Sequence, residues 1–114
     1  MSTKDYNKIV FAILQELFSS KEEGHRIDIR AIGAERFNIS PSYLISILSD
    51  LMNEGYIRGF KIIETKSGRI VDGYGKTEIT MKGIEYLQEN SIMKKVYKSL
   101  KELRDWFPII KKLF

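Results

Sequence analysis

The sequence predicts an α+β fold, because segments with helical periodicity lie on both sides of a stretch of strand-forming residues. Before residue 55 and after residue 80, apolar residues recur every three or four positions, as they do on one face of a helix. Between residues 56 and 79, β-branched and aromatic residues are interrupted by glycine-containing turns, which is typical of short strands. The 114 residues fit one domain. We expect residues 1–107 to form it and residues 108–114 to be an apolar and basic tail.

The first helix is predicted to be a core helix. Its apolar residues follow the spacing i, i+3, i+4, i+7, i+8 and i+11, which places them on one face: Tyr6, Ile9, Val10, Ile13, Leu14 and Leu17. Gly24 marks the polar loop that follows. A second, shorter helix is expected to begin at Asp28, whose carboxylate can cap it, and to run through Ile32 to Phe37.

A third helix is predicted from residue 41 to about residue 54. Ser40 supplies a hydroxyl cap, Pro41 suits the first helical position, and Gly55 suits the left-handed cap at the end. The buried face is expected to hold Leu44, Ile45, Leu48, Leu51 and Met52, and the opposite face Ser42, Ser46, Ser49 and Asn53. Two helices joined by so short a turn predict a helix-turn-helix.

The strand-forming stretch predicts a twisted ribbon with a basic tip. One strand is expected over residues 56–63, a hairpin turn at residues 66–68, a returning strand over residues 69–71, and a further strand over residues 76–79. The ribbon carries five cations, which are Arg58, Lys61, Lys66, Arg69 and Lys76. The same charges could serve only to protect a sheet edge from pairing with other chains.

Two further helices are predicted after the ribbon. Thr80 caps the first of them, and Met81, Ile84 and Leu87 should face inward. The second runs from about residue 92 to residue 107 and carries an apolar stripe flanked by Lys and Arg, before Pro108 ends it. Residues 93–103 are expected to fold back on the first helix. Contacts with a partner or a second copy of the chain are expected from Trp106, Phe107, Ile110 and Phe114.

This order of helices and strands resembles that of winged-helix domains. It predicts a winged helix-turn-helix with a three-helix core, a β-hairpin wing and two C-terminal helices. Residues 53–57 read Asn-Glu-Gly-Tyr-Ile, residues 80–90 follow Thr-x-Lys-Gly-x-x-Tyr-Leu-x-Glu-Asn, and a Lys-rich helix ends near Asp105 and Trp106. These segments resemble the YjcQ family of small bacterial and prophage winged-helix proteins. The resemblance implies a close approach of Gly83 to the sheet and a prophage or mobile-element origin. It does not indicate any particular activity.

No catalytic constellation is visible, so we predict that the chain is not an enzyme and holds no cofactor or metal. It has no cysteine, and its single histidine, His25, lies in a polar loop. The longest apolar run is far shorter than the roughly 20 residues that span a bilayer. Charged residues near the start also argue against a signal peptide, so a cytoplasmic protein is expected.

The leading function predicted is a winged-helix DNA-binding or transcription-regulatory protein with double-stranded DNA as its partner. Contacts to base edges and phosphates are expected from Ser42, Tyr43, Ser46 and Asn53, and contacts to the backbone from Lys61, Lys66 and Arg69. Residues 41–54 have no Lys or Arg but include Asp50 and Glu54, which opposes simple DNA binding by this helix.

The distribution of charge moves any such contact to the wing and the C-terminal helix. Residues 1–90 hold 12 Lys and Arg against 13 Asp and Glu, whereas residues 91–114 hold 7 against 2. One alternative is a protein-interaction module that uses the third helix as a polar contact face. Another is a basic tail that binds anionic lipid.

Overall fold

A computed structural model describes residues 3–90 and 92–95, with side chains from Tyr6 onward. The helices are α1 (Thr3–Glu23), a 3-10 turn (Ile29–Ile32), α2 (Ala34–Phe37), α3 (Pro41–Asn53), a second 3-10 turn (Tyr74–Lys76) and α4 (Met81–Glu89). The strands are β1 (Ile57–Arg58), β2 (Lys61–Thr65), β3 (Gly68–Asp72) and β4 (Glu78–Ile79). The α+β class is confirmed, and helices with a small antiparallel hairpin are compatible with a winged helix. Residues 92–95 are helical, and the rest of the expected fifth helix and the tail lie outside the described residues.

Helix α1 lies at the centre of the core. Every side chain of residues 9–14 is at most 5% exposed, including Phe11 and Ala12, which fall outside the predicted stripe. The helix is covered so widely because the first 3-10 turn, β4 and α4 all pack against it. The prediction of a core helix is therefore confirmed, although its buried surface is broader than one face.

The expected second helix is two separate turns. Asp28 caps the first one as predicted, since its carboxylate accepts a hydrogen bond of 3.0 Å from the Arg30 amide. Gly33 then takes an extended conformation before α2 begins. Ile32 and Phe37 are both buried. On one continuous helix these residues would point about 140° apart, so the break at Gly33 lets both side chains enter the core.

The prediction of one strand over residues 56–63 is wrong, because the chain bends between β1 and β2. Strand β1 pairs with β4, whereas β2 pairs with β3 in a separate antiparallel hairpin. Gly59 has a φ of +103°, and a Cβ there would lie 2.1 Å from the carbonyl oxygen of Lys76. This close approach, together with the burial of Phe60, ends the first strand pair and redirects the chain into the hairpin. The predicted turn at residues 66–68 joins β2 to β3.

Helix α3 begins and ends as expected. The Ser40 hydroxyl accepts a hydrogen bond of 3.2 Å from the Tyr43 amide, and Gly55 has a positive φ just beyond the last turn. The buried residues are Leu44, Ile47, Leu48 and Leu51. Ile47 was not predicted to be buried, whereas Ile45 and Met52 are only half-buried. The stripe that faces the core is therefore narrower than predicted and is centred between Ile47 and Leu48.

Helix α4 is fixed by the residues that carry the family resemblance. Thr80 caps it by accepting a hydrogen bond of 3.2 Å from the Gly83 amide. A Cβ on Gly83 would lie 2.5 Å from the carbonyl oxygen of Tyr56, which confirms the predicted close approach to the sheet. The prediction that Met81 faces inward is wrong, because its side chain is 78% exposed. The contact with the sheet starts at Gly83, where a missing side chain makes the approach possible.

We expect Gly59→Ala to lower the free energy of unfolding more than Gly68→Ala. Both glycines have φ values of +103° or more, so alanine is strained at either position by about 1–3 kcal/mol. Only Gly59 has backbone atoms where the methyl group would go, and such overpacking typically costs about 1–3 kcal/mol more. Urea unfolding of both variants measures the difference. Equal losses would show that Lys76 does not limit the space at Gly59.

Candidate nucleic-acid interface

The side of α3 that faces away from the core carries polar and acidic residues. Of the four α3 residues that were predicted to contact DNA, Ser42 and Asn53 are exposed, whereas Ser46 and Tyr43 are half-buried. Tyr43 packs against the hydrophobic core, so its ring serves the fold. Two of the four side chains are therefore fully available to a ligand on this helix.

The Asp50 carboxylate on α3 is held by α1. The Tyr6 hydroxyl donates a hydrogen bond of 2.9 Å to Asp50 Oδ2. Burial, followed by this hydrogen bond and the negative charge of Asp50, raises the pKa of Tyr6 to about 12. The contact fixes α1 to α3, and it keeps a negative charge beside the residues that were expected to face DNA.

Arg36 is the only Lys or Arg between residues 31 and 57, and it is used by the fold. Its Nη1 lies 3.1 Å from Glu16 Oε2, and both side chains are only 16% exposed. The same nitrogen donates a hydrogen bond of 2.6 Å to the carbonyl oxygen of Ala31. The helix-turn-helix segment therefore directs no cation toward a ligand on α3.

The register of the hairpin separates the predicted wing contacts. Lys61 is opposite Asp72, and Ile63 is opposite Ile70; because side chains alternate along a strand, these four share one side, here called the outer face of the wing. The other side carries Ile62 opposite Val71 and Glu64 opposite Arg69. Ile62 and Val71 are half-buried against the core, so this second side faces inward. Lys61 and Arg69 thus lie on opposite sides of the wing, and Lys66 lies in the turn at its tip.

Two of the wing cations have a carboxylate directly across the hairpin. Lys61 pairs in register with Asp72, and Arg69 pairs with Glu64. Such opposed charges attract one another and weaken the local positive field. Lys66, in the turn, has no residue opposite it in the strand register. The tip is therefore the most positive part of the hairpin.

A further basic region, outside the wing, was not predicted from the sequence. Lys21 and Arg26 line a groove together with Lys76, where the end of α1 meets residues 75–78. Glu78, on the same groove, lies 2.7 Å from Arg58, and this hydrogen bond lowers the pKa of the Glu78 carboxyl group. Residues so far apart in sequence give no local signal, so this cluster becomes visible only in the folded chain.

Comparison with known proteins gives the family. The family model described as YjcQ protein matches residues 11–106. A relative from Bacillus subtilis (strain 168), described as uncharacterized protein YjcQ, is 31% identical over 100 residues, which is 88% of this chain and 95% of the relative. The chain belongs to the YjcQ family. No solved structure gives a significant match.

The residues that carry the YjcQ resemblance have architectural roles in the described structure. Thr80 caps α4, and its hydroxyl donates a hydrogen bond of 2.5 Å to the carbonyl oxygen of Gly55. The ring of Tyr86 lies 5.3 Å from that of Tyr56, with Lys82 Nζ 5.5 Å from the Tyr56 ring centre. These contacts hold α4 against the start of β1. The shared pattern therefore specifies how the fold closes rather than which ligand it binds.

The remaining predicted contact residues of this YjcQ-family chain are not part of the described structure. Trp106, Phe107, Ile110 and Phe114 lie outside the described residues, so their contact with a partner or second copy stays a prediction. Among the helices that are described, none has the length and apolar character needed to cross a membrane.

We expect Asp50→Asn to lower the pKa of Tyr6 from about 12 toward its ordinary value of 10. The substitution removes a negative charge that disfavours the tyrosinate, whereas burial of the ring is unchanged, so part of the shift should persist. NMR titration of ¹³C-labelled tyrosine rings measures this pKa directly. Glu54→Gln removes a nearby charge without the hydrogen bond and is the control. An unchanged pKa in Asp50→Asn would exclude the contact between α1 and α3 in solution.

Proposed function

We propose that this protein is a winged-helix DNA-binding or transcription-regulatory protein that contacts the duplex backbone mainly through its wing. The observation that carries the proposal is the exposed set of cations Lys61, Lys66 and Arg69 on a hairpin that adjoins α3. Phosphate neutralisation supplies most of the affinity in such complexes. Helix α3 has no cation of its own, so we assign this charge to the wing.

The polar side of α3 supports the same arrangement in a secondary role. Helix α3 and β3 are in contact, so a duplex held by the wing passes close to the helix. Ser42 and Asn53 are exposed there and can donate hydrogen bonds to phosphate or base-edge acceptors. Asp50 and Glu54 oppose a close approach of the backbone at the same surface. Backbone contacts at the wing therefore supply the affinity, and α3 adds a limited set of polar contacts.

We expect Lys66→Ala combined with Arg69→Ala to weaken binding of a nonspecific duplex and to reduce its salt dependence. Each lost phosphate contact makes the negative slope of log K against log salt shallower by about 0.9, so losing two contacts should make it shallower by roughly 2. Fluorescence anisotropy across a salt series measures both quantities on the full chain.

Two variants serve as controls for this measurement. Lys4→Ala combined with Lys8→Ala removes the same charge from α1 and should leave the slope unchanged. Ser42→Ala combined with Asn53→Ala should alter affinity with little effect on the slope. If the unaltered protein shows no binding of the duplex even at low salt, the proposed function is wrong.

Protein recognition through α3 is the second function that we propose to test. It is favoured by the acidic and polar surface of residues 41–54, which have no Lys or Arg. Binding of a protein partner would not change when Lys66 and Arg69 are replaced by alanine. It would be lost when Asn53 and Glu54 are replaced by alanine. The prophage origin implied by the resemblance stays a prediction in either case.

A further inference from the structure

A groove of about 340 Å³ lies between the end of α1, the loop that follows it and residues 75–78. Its rim carries the basic side chains Lys21, His25, Arg26 and Lys76. Leu17, Ile27 and Thr77 also line it, and all three are buried. The groove therefore combines a packed floor with a basic rim.

We propose that this groove binds phosphate groups, and that the backbone of a duplex held by the wing supplies them. The source of the phosphate rests on the proposed function, whereas the groove itself is a separate site from the wing tip and α3. Its chemistry is that of a phosphate diester or monoester held by lysine and arginine side chains.

The positive charge of the groove is available to a ligand. Lys21, Arg26 and Lys76 are exposed, and within the described part of the chain none of them forms an ion pair or a side-chain hydrogen bond. Glu78 is the one carboxylate among the described lining residues, and it is held by Arg58 at 2.7 Å. A concave surface on which cations outnumber carboxylates concentrates a positive field and attracts anions.

The backbone around the groove is fixed before any ligand arrives. The Gly24 and His25 amides donate hydrogen bonds of 3.2 and 3.1 Å to the carbonyl oxygens of Lys21 and Ser20. These bonds satisfy two of the terminal carbonyl groups of α1, which would otherwise repel an anion. On the opposite wall, the Lys76 amide donates to the Gly73 carbonyl oxygen at 2.9 Å. The rim cations therefore project from an ordered backbone.

His25 is held in the same loop. Its Nδ1 donates a hydrogen bond of 2.8 Å to the carbonyl oxygen of Arg26, and its Nε2 lies 3.2 Å from Glu23 Oε2. These two contacts raise the pKa of the imidazole above its ordinary value of 6.5. Glu23 offsets the charge of a protonated His25, so the lysine and arginine side chains provide the net charge of the rim.

Lys76 connects this groove to the wing. It also lines a second hollow, of about 440 Å³, at the base of the wing together with Lys61, Asp72 and Gly73. Lys61, Lys76, Lys21 and Arg26 line these two hollows, whose described carboxylates are Asp72 and Glu78. The four cations are here called the basic strip, which runs from the outer face of the wing to the end of α1. A duplex backbone that touches Lys61 can follow this strip, whereas the α3 surface offers it Asp50 and Glu54.

The test compares two charge-matched double variants of the full chain on the same duplex. Lys21→Ala with Lys76→Ala removes two rim charges, and Lys4→Ala with Lys8→Ala removes two charges elsewhere. We expect the rim variant to make the salt slope shallower by roughly 2 and the matched variant to leave it unchanged. If the rim variant behaves like the matched one while Lys66→Ala with Arg69→Ala weakens binding, the groove proposal fails and the DNA-binding function stands. Thermal unfolding of each variant shows that it is folded.

A second measurement judges the groove independently of DNA. Inorganic phosphate is titrated into ¹⁵N-labelled protein, with chloride at matched ionic strength as the reference. Saturable chemical-shift changes of the amides of Gly75, Lys76 and Thr77 that are lost in the rim variant would support the site. If they occur although no duplex binds, free phosphate esters and not a duplex backbone are the ligands. The absence of such shifts, together with an unchanged salt slope, overturns the proposal.

Discussion

Burial of α1 is the constraint on which the rest of the structure depends. Its residues 9–14 are at most 5% exposed, because the first 3-10 turn, β4 and α4 pack against it. Burying one large aliphatic or aromatic side chain contributes about 1.5–3 kcal/mol, so this segment is a major part of the stability of a small domain. The polar residues of α1 lie on either side of this buried segment. Glu16 is used within the fold, and Lys21 reaches the groove.

The ion pair between Glu16 and Arg36 explains why the helix-turn-helix surface lacks positive charge. Removing either partner would leave a charge that is only 16% exposed without its counter-charge, so Arg36 cannot turn outward without a large loss of stability. Asp50 and Glu54 then determine the electrostatic character of α3. A duplex that approached this helix alone would meet no phosphate-neutralising group among the described residues of α2 and α3. Among the described residues, the cations that remain for the proposed backbone contact are those of the wing and the basic strip.

The features predicted correctly from the sequence depend on local chemistry. Asp28, Ser40 and Thr80 each bond an amide two or three residues along the chain, so their capping roles follow from neighbouring residue types. The division of the strand at Gly59 is different, because it depends on the carbonyl oxygen of Lys76 and on the burial of Phe60. An isolated glycine in a strand pattern indicates a bulge or a close backbone approach, but the sequence does not show that Lys76 is the neighbour. The same reasoning applies to the wing, where the register alone separates Lys61 from Arg69.

The basic strip arises although residues 1–90 carry 12 cationic side chains against 13 carboxylates. In the described part of the chain, the ion pairs are formed by Arg30, Arg36, Arg58 and His25, and none involves a lysine. A planar guanidinium group matches a carboxylate better than a strongly hydrated ammonium group does, which is consistent with arginine forming three of these four pairs. Lys21, Lys61 and Lys76 remain solvated and gather on one side of the molecule. Residues 1–90 can therefore present a locally positive surface although their formal charges balance to −1, because Glu16, Asp28 and Glu78 are each paired with an arginine while these lysines stay unpaired.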